Sequence, residues 1–195
     1  MHDLVQEGLA LLALLLVLGW YLSYSAARLD RLHHRVETTR AALDAQLARR
    51  AAAAVEAAPL LDPATGLLVA DAATLALAAG EARTEWLEGG EPADEVENDL
   101  TRALHAAFGD PGQVEELREA PFAAQSLDLL TQACVRVQLA RRFHNDAVAQ
   151  AVRVRRKRVV RWARLAGHAS LPVMVEIDDS VPPGLTVRAS CGGTP

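Results

Sequence analysis

Twenty consecutive residues, Gly8 to Ala27, carry no charged side chain. A helix rises ~1.5 Å per residue, so such a run spans roughly 30 Å, the thickness of a bilayer's hydrocarbon core. The run predicts a transmembrane helix close to the first residue. The competing reading is a cleaved signal peptide, which wants a basic leader and a shorter apolar stretch. Ser25 and Ala27 would suit a cleavage site, but Asp3 and Glu7 precede the run and no Lys or Arg does. An uncleaved anchor is therefore expected. Trp20, Tyr21 and Tyr24 cluster at its far end, where aromatic rings favour the headgroup level. The alternative for them is packing inside a helical bundle.

Basic residues follow the run at once, as Arg28, Arg31, Arg35 and Arg40. This asymmetry places the N-terminus outside and the rest of the chain in the cytoplasm, as a single-pass protein of the cell membrane. The two cysteines, Cys134 and Cys191, form no disulfide framework and fit no metal-binding spacing. Cys134 is expected to pack as a small apolar residue.

Beyond the anchor, alanine is abundant and aromatics are few, which favours helix over sheet. Leu29, Leu32, Val36, Leu43, Leu47 and Ala54 recur at helical spacing and predict a helix continuous with the anchor to about Ala58. Pro59, Asp62-Pro63 and Gly66 mark a break. A second helix is expected from about Leu67 to Leu87, ended by Gly89-Gly90 and Pro92. A third runs from about Asp94 to Phe108, with Leu100, Leu104 and Phe108 on one side. Gly109-Asp110-Pro111-Gly112 signals a turn, followed by a helical piece over 114–120. The fourth helix is long, roughly Phe122 to Leu165, with Leu127, Leu130, Cys134, Val137, His144, Val148 and Val152 on its stripe. The last 25 residues hold four Pro and three Gly, and read as an extended or disordered tail. Val173 to Ile177 could form a short strand or dock on the helices, though no partner strand is evident.

The expected fold is all-α: an N-terminal transmembrane helix continuous with an antiparallel four-helix-type bundle, followed by an irregular C-terminal tail. The segments are an anchor over 1–27, a cytoplasmic bundle over 28–167 and a tail over 168–195. Up-and-down packing would return the end of the fourth helix to the bilayer.

Two motifs carry a family resemblance. Leu43-Asp44-Ala45-Gln46-Leu47-Ala48-Arg49-Arg50 has an acid, a Gln-Leu and a basic pair in the order found in the first bundle helix of the LemA family. Ala140-Arg141-Arg142-Phe143-His144-Asn145-Asp146-Ala147-Val148 approaches that family's Ala-Arg-x-x-Tyr-Asn-x-x-Val, with His144 in place of Tyr. The chain resembles a divergent branch, because Ala52 to Ala58 fills the stretch where the family has Pro-Asn-Leu. The resemblance implies a membrane anchor, a mostly antiparallel helical domain and no established enzymatic activity.

Six polar residues of these motifs, Asp44, Gln46, Arg49, Arg50, Arg141 and Asn145, are expected to specify the fold. Arg141 falls near the apolar stripe, and a desolvated charge needs a partner. Asp44 lies at a matching height on the first helix, so an Arg141–Asp44 pair is expected, with Gln46 and Asn145 as neighbouring hydrogen-bond groups. His144 is expected to be a partly buried core residue.

Charge is unevenly spread. From Arg153 to Arg164 there are seven basic residues and no acid. Arg153, Arg155, Arg156, Lys157, Arg158, Arg161, Trp162 and Arg164 are candidates for contact with anionic lipid headgroups, where each basic residue can add about 1 kcal/mol. The competing reading is a solvated helix end whose cations suit the C-terminal dipole. From Glu81 to Glu119 there are 12 acidic residues against three Arg. The part from Glu91 to Asp99 lacks the pattern of a calcium loop and reads as a solvated loop and helix start.

No phosphate loop, dinucleotide fingerprint, nucleophile elbow or zincin motif occurs. No catalytic residue, cofactor or metal is expected, and no nucleic acid as partner. The expected partners are membrane lipid, an unidentified protein and a second copy of the chain. Two functions follow as expectations: a non-enzymatic scaffold or adaptor at the cytoplasmic face, or a lipid-binding, self-associating organiser of the membrane.

Overall fold

A computed structural model of the chain describes residues 2–85, 91–156 and 171–186. The described residues are all-α, as the sequence predicts. They form α1 (His2–Ala57), α2 (Pro63–Glu85), α3 (Glu91–Phe108), α4 (Pro111–Arg118) and α5 (Ala123–Arg155). A 3-10 turn covers Ala58–Leu60, and a last helical turn covers Pro183–Thr186. There is no strand among the described residues.

α1 is one uninterrupted helix, because no Pro follows in its sequence until Pro59. Its apolar part is long enough to cross a membrane, and none of its most apolar 18-residue window is buried. Leu11, Leu12, Leu14, Leu15, Leu16 and Val17 all present exposed side chains. Trp20 and Tyr24, one helical turn apart, stack with ring centroids 6.3 Å apart. α2 also has the length and composition of a span, with 22% of its window buried.

The chain divides into two compact units, Met1–Thr39 with His144–Met174, and Arg40–Phe143 with Val175–Pro195. In the first unit, the early part of α1 packs against the late part of α5. Val36, Ala147, Val148 and Ala151 are buried together, with Leu32 and Val152 against them. Arg35 donates from Nη1 to Gln150 Oε1 at 3.3 Å, and Thr39 Oγ1 lies 3.4 Å from His144 Nδ1. His144 is buried, as expected for a core residue.

The second unit holds the main core. Ala51, Ala54 and Ala57 of α1 meet Val69, Ala73 and Ala76 of α2, Leu100, Leu104 and Phe108 of α3, and Leu127, Leu130 and Cys134 of α5. Leu43 and Leu47 sit instead with Val137 and Ala140. Ascending numbers on α1 thus meet descending numbers on α5. Alanine on α1 and α2 lets backbones approach closely, while leucine and phenylalanine from α3 and α5 fill the space between. Cys134 is buried and free, as expected, and burial pushes its thiol pKa up.

Three prolines expected to break the chain instead start helices. Pro63 opens α2, Pro92 is second in α3 and Pro111 opens α4. A first-turn proline has no hydrogen bond to lose, and its fixed φ suits the helix. The residues before two of them complete the signal. Asp62 Oδ1 accepts from the N–H groups of Ala64 and Thr65, both at 3.2 Å, and Asp110 Oδ1 accepts from Gly112 at 2.9 Å. The first of these arrangements begins α2 about a turn earlier than the sequence predicts. Gly66, expected in a break, therefore lies inside α2, where a Cβ would come within 2.6 Å of the Ala58 carbonyl oxygen. Gly66→Ala should cost about 1–3 kcal/mol through this clash. Chemical unfolding followed by circular dichroism would measure it, and an unchanged midpoint would refute the packing argument.

Between α4 and α5, Phe122 has φ 67°, in the left-handed region that favours glycine, and is 85% exposed. Arg118 Nη1 reaches Asp128 Oδ1 at 2.6 Å and ties the two helices across this corner. Lys157 to Ser170, including the expected continuation of the fourth helix to Leu165, lie outside the described residues.

Candidate functional site

The second unit gathers its polar side chains where the chain returns after Met174. Residues 171–182 take no helix, because Pro172, Pro182 and Pro183 deny it and Val173, Val175, Ile177 and Val181 favour an extended chain. Side chains then alternate, as they must in extended backbone. Val175 and Ile177 are buried with Leu43, Leu47, Val137 and Ala140, while Met174 and Glu176 are exposed. The segment is extended, as expected, and from Val175 it is a docked strap and not a disordered tail. The turn that follows seats flush on the corner of α3 and α4. A Cβ on Gly184 would lie 2.6 Å from the Phe108 carbonyl oxygen and 2.7 Å from Val114 Cγ2. Leu185 enters the main core.

An extended segment with no neighbouring strand must find other partners for its backbone. Helix side chains supply them. Asp178 N–H donates to Asn98 Oδ1 at 2.7 Å, and its carbonyl accepts from Thr101 Oγ1 at 2.7 Å. The Asp179 carbonyl accepts from Gln138 Nε2 at 2.8 Å. Arg141 then grips the Asp179 carboxylate with two hydrogen bonds, Nε to Oδ2 at 2.6 Å and Nη2 to Oδ1 at 3.0 Å. Such paired, charge-assisted bonds are the strong kind.

Behind the strap lies a second ion pair. Arg50 Nη2 donates to Glu97 Oε2 at 2.8 Å, and both side chains are 2% exposed. Arg50 Nη1 donates to Thr101 Oγ1 at 3.0 Å. Thr101 therefore joins the Arg50–Glu97 pair to the backbone of the strap. Arg50 Nε is buried without a hydrogen-bond partner among the described residues.

The expected fold-specifying residues fare differently. Arg50 is buried and paired. Arg141 is paired, but the acid it grips is Asp179 and not Asp44. Asp44 instead lies 3.3 Å from Arg40, one turn earlier on α1. Asp179 belongs to a segment whose docking the sequence does not announce, so the pairing could not be assigned from helix heights. Arg49 faces solvent, since a residue adjacent to a buried one on a helix points about 100° away. Gln46 is half-buried, and its Oε1 is buried without a hydrogen-bond partner among the described residues. Asn145 is half-buried. Glu97, expected in a solvated stretch, is buried because Arg50 receives it. Among the headgroup candidates, Arg153 and Arg156 are exposed and Arg155 is half-buried. Lys157, Arg158, Arg161, Trp162 and Arg164 lie outside the described residues.

Ser180, His105 and Asp178 also meet. Ser180 Oγ lies 2.9 Å from His105 Nε2 and donates to Asp178 Oδ1 at 2.7 Å. The carboxylate contacts the hydroxyl and not the imidazole, so it does not orient a base as a nucleophilic triad requires. The three groups pin the strap to the last turns of α3. Among the described residues, no three of His, Cys, Asp and Glu gather as a metal site would.

Hydrogen bonds from the Ser180 hydroxyl and N–H hold the Asp178 carboxyl below its ordinary value of 3.8. A carboxyl lowered on folding adds stability above its unfolded value and surrenders it as the pH falls through the folded one. Strap docking should therefore weaken below pH 3.8, with Asp178→Asn losing that dependence. Arg141→Ala should loosen the strap at neutral pH by about 2–3 kcal/mol. Limited proteolysis read at residues 171–186 would follow both, and cleavage at the wild-type rate in Arg141→Ala would count against the clamp.

Comparison with protein-family models, with curated proteins and with solved structures returned no match.

Proposed function

We propose that this chain is a membrane-anchored helical-bundle protein that acts as a non-enzymatic scaffold or adaptor at the cytoplasmic face of the membrane. The observation that carries the reading is the exposed apolar part of α1. Water does not tolerate a helix with leucine on every side, and a bilayer does. The Arg-rich exit of the span favours a cytoplasmic bundle. The span is assigned to α1 alone, because Val69, Ala73 and Ala76 commit α2 to the bundle core. The motif resemblance to LemA agrees with this reading.

The polar groups described above are spent on holding the fold, which suits a protein that works by presenting surface. Glu95, Asp99, Glu115, Glu116 and Glu119 are exposed on α3, α4 and the residue after it. They offer an acidic face to a basic partner protein. The test is gentle extraction of the tagged full-length chain from native membranes. A stoichiometric partner that is lost when these acids become Gln or Asn supports the adaptor. Recovery of the chain alone refutes it.

A second reading is a self-associating membrane organiser. It is favoured by Leu67, Leu68 and Leu75, which leave the outer face of α2 apolar and exposed. Crosslinking of homo-oligomers that disappear in a Leu67→Ser, Leu75→Ser variant would select it.

A further inference from the structure

In the second unit, α2 and α5 each bury one face in the core and turn another outward. Outward on α2 lie Ala64, Leu68, Asp71, Leu75 and Ala78, at spacings of four, three, four and three, which keep them on one side of the helix. Leu67 and Thr74 flank this line and are exposed too. Asp71 is the only charged residue from Pro63 to Gly80. Outward on α5 lie Leu129, Gln132, Arg136, Leu139 and Phe143, at spacings of three, four, three and four. Arg136 is the only charged residue from Leu129 to Ala140. Each line thus has one charge at its midpoint and mostly apolar side chains around it. Leu68 is 66% exposed and Phe143 55%. Asp71 and Arg136 make no side-chain hydrogen bond or ion pair among the described residues.

The two faces are counterparts. With Asp71 set against Arg136, they match in either direction. Ala64 and Ala78 fall opposite Leu129 and Phe143, so a small side chain meets each large one at both ends. Leu68 and Leu75 fall opposite Leu139 and Gln132. Like faces aligned on their midpoints would instead set acid against acid or cation against cation, so the charges select the unlike pairing. Both faces are exposed on the same molecule, and the contact must therefore join two molecules.

We propose that copies of this chain associate by seating the α2 face of one copy on the α5 face of another, with Asp71 paired to Arg136. This deepens the self-association reading above and rests on it, because it names the surface that receives the leucines of α2. Two different faces meet, so a copy can engage one neighbour through α2 and another through α5. Such a contact builds rings or open chains of copies.

The test uses the full-length protein in mild detergent, with mass read by light scattering after size-exclusion chromatography over a concentration series. Asp71→Arg alone, or Arg136→Asp alone, sets like charges together and should weaken association about 10–100-fold. The double variant Asp71→Arg, Arg136→Asp should recover it. An equimolar mixture of the two single variants should recover it as well, since each altered face then meets an altered counterpart and each native face a native one. Recovery on mixing also shows that both single variants are folded. Association unchanged by either reversal, or lost in the single variants and recovered in neither combination, overturns the pairing. A wild-type chain that stays monomeric refutes self-association as a whole. Oligomers that need Leu67 and Leu75 but are indifferent to both charge reversals refute this pairing alone.

Discussion

Arg50→Ala should destabilise the bundle by about 3–5 kcal/mol, which is the usual result of stripping one partner from a buried ion pair. The loss comes less from the missing attraction than from Glu97, left charged in a site with 2% exposure. Glu97→Ala should cost a similar amount by stranding the guanidinium. The double replacement Arg50→Met, Glu97→Leu should recover much of the loss, because two apolar side chains of similar size leave no charge to desolvate. Thr101 complicates the recovery, since its hydroxyl also holds the Asp178 carbonyl. Thr101→Val added to the double variant should therefore remove a further ~1 kcal/mol. Urea unfolding of the four variants would measure all of these terms. Additive single losses, with no recovery in the double variant, would show that the pair is not coupled.

The second large effect concerns the apolar part of α1. Leu14→Arg and Leu15→Arg each place a charge near the middle of the uncharged run. Each should oppose insertion by about 2.5–3.5 kcal/mol, so the pair should nearly abolish it. The fraction of the chain that stays with carbonate-washed membranes is the readout, with Arg50 left intact so that bundle folding is unaffected. Undiminished retention of the double-Arg variant would mean that another part of the chain holds the membrane. In that event α2, the other helix of sufficient length and apolarity, becomes the candidate.

Periodicity made most of the helical fold legible. Leu100, Leu104 and Phe108 all lie in the core, as do Leu127, Leu130, Cys134 and Val137. These positions answer to a local rule, the 3.6-residue repeat, which any window of sequence displays. The helix starts were harder, because the Asp-Pro pairs at Asp62 and Asp110 end one element and begin the next in the same two residues. Ion-pair partners were not legible at all. Arg50 and Arg141 could be marked as charges that need an acid, yet nothing local distinguishes Glu97 or Asp179 from the other acids nearby. Their choice depends on which segments meet in space. The strap gave a faint signal in the alternation of Val173, Val175 and Ile177. Of these, Val173 is exposed and only the other two are buried. Without a pairing strand, the surface that receives them could not be named from sequence.

The strap also has a place in time. Ile177 is synthesised 40 residues after Val137, against which it is buried. At ~5–20 residues per second the ribosome needs roughly 2–8 s to cover that distance. During this interval Leu43, Leu47, Val137 and Ala140 lack their cover, and the Arg141 guanidinium lacks the Asp179 carboxylate. A chain whose translation stops before Val175 never acquires either. Such a product would carry a lasting apolar groove beside an uncompensated cation, the kind of surface that chaperones and proteases recognise. The strap thus sets a copy translated beyond it apart from one truncated before it.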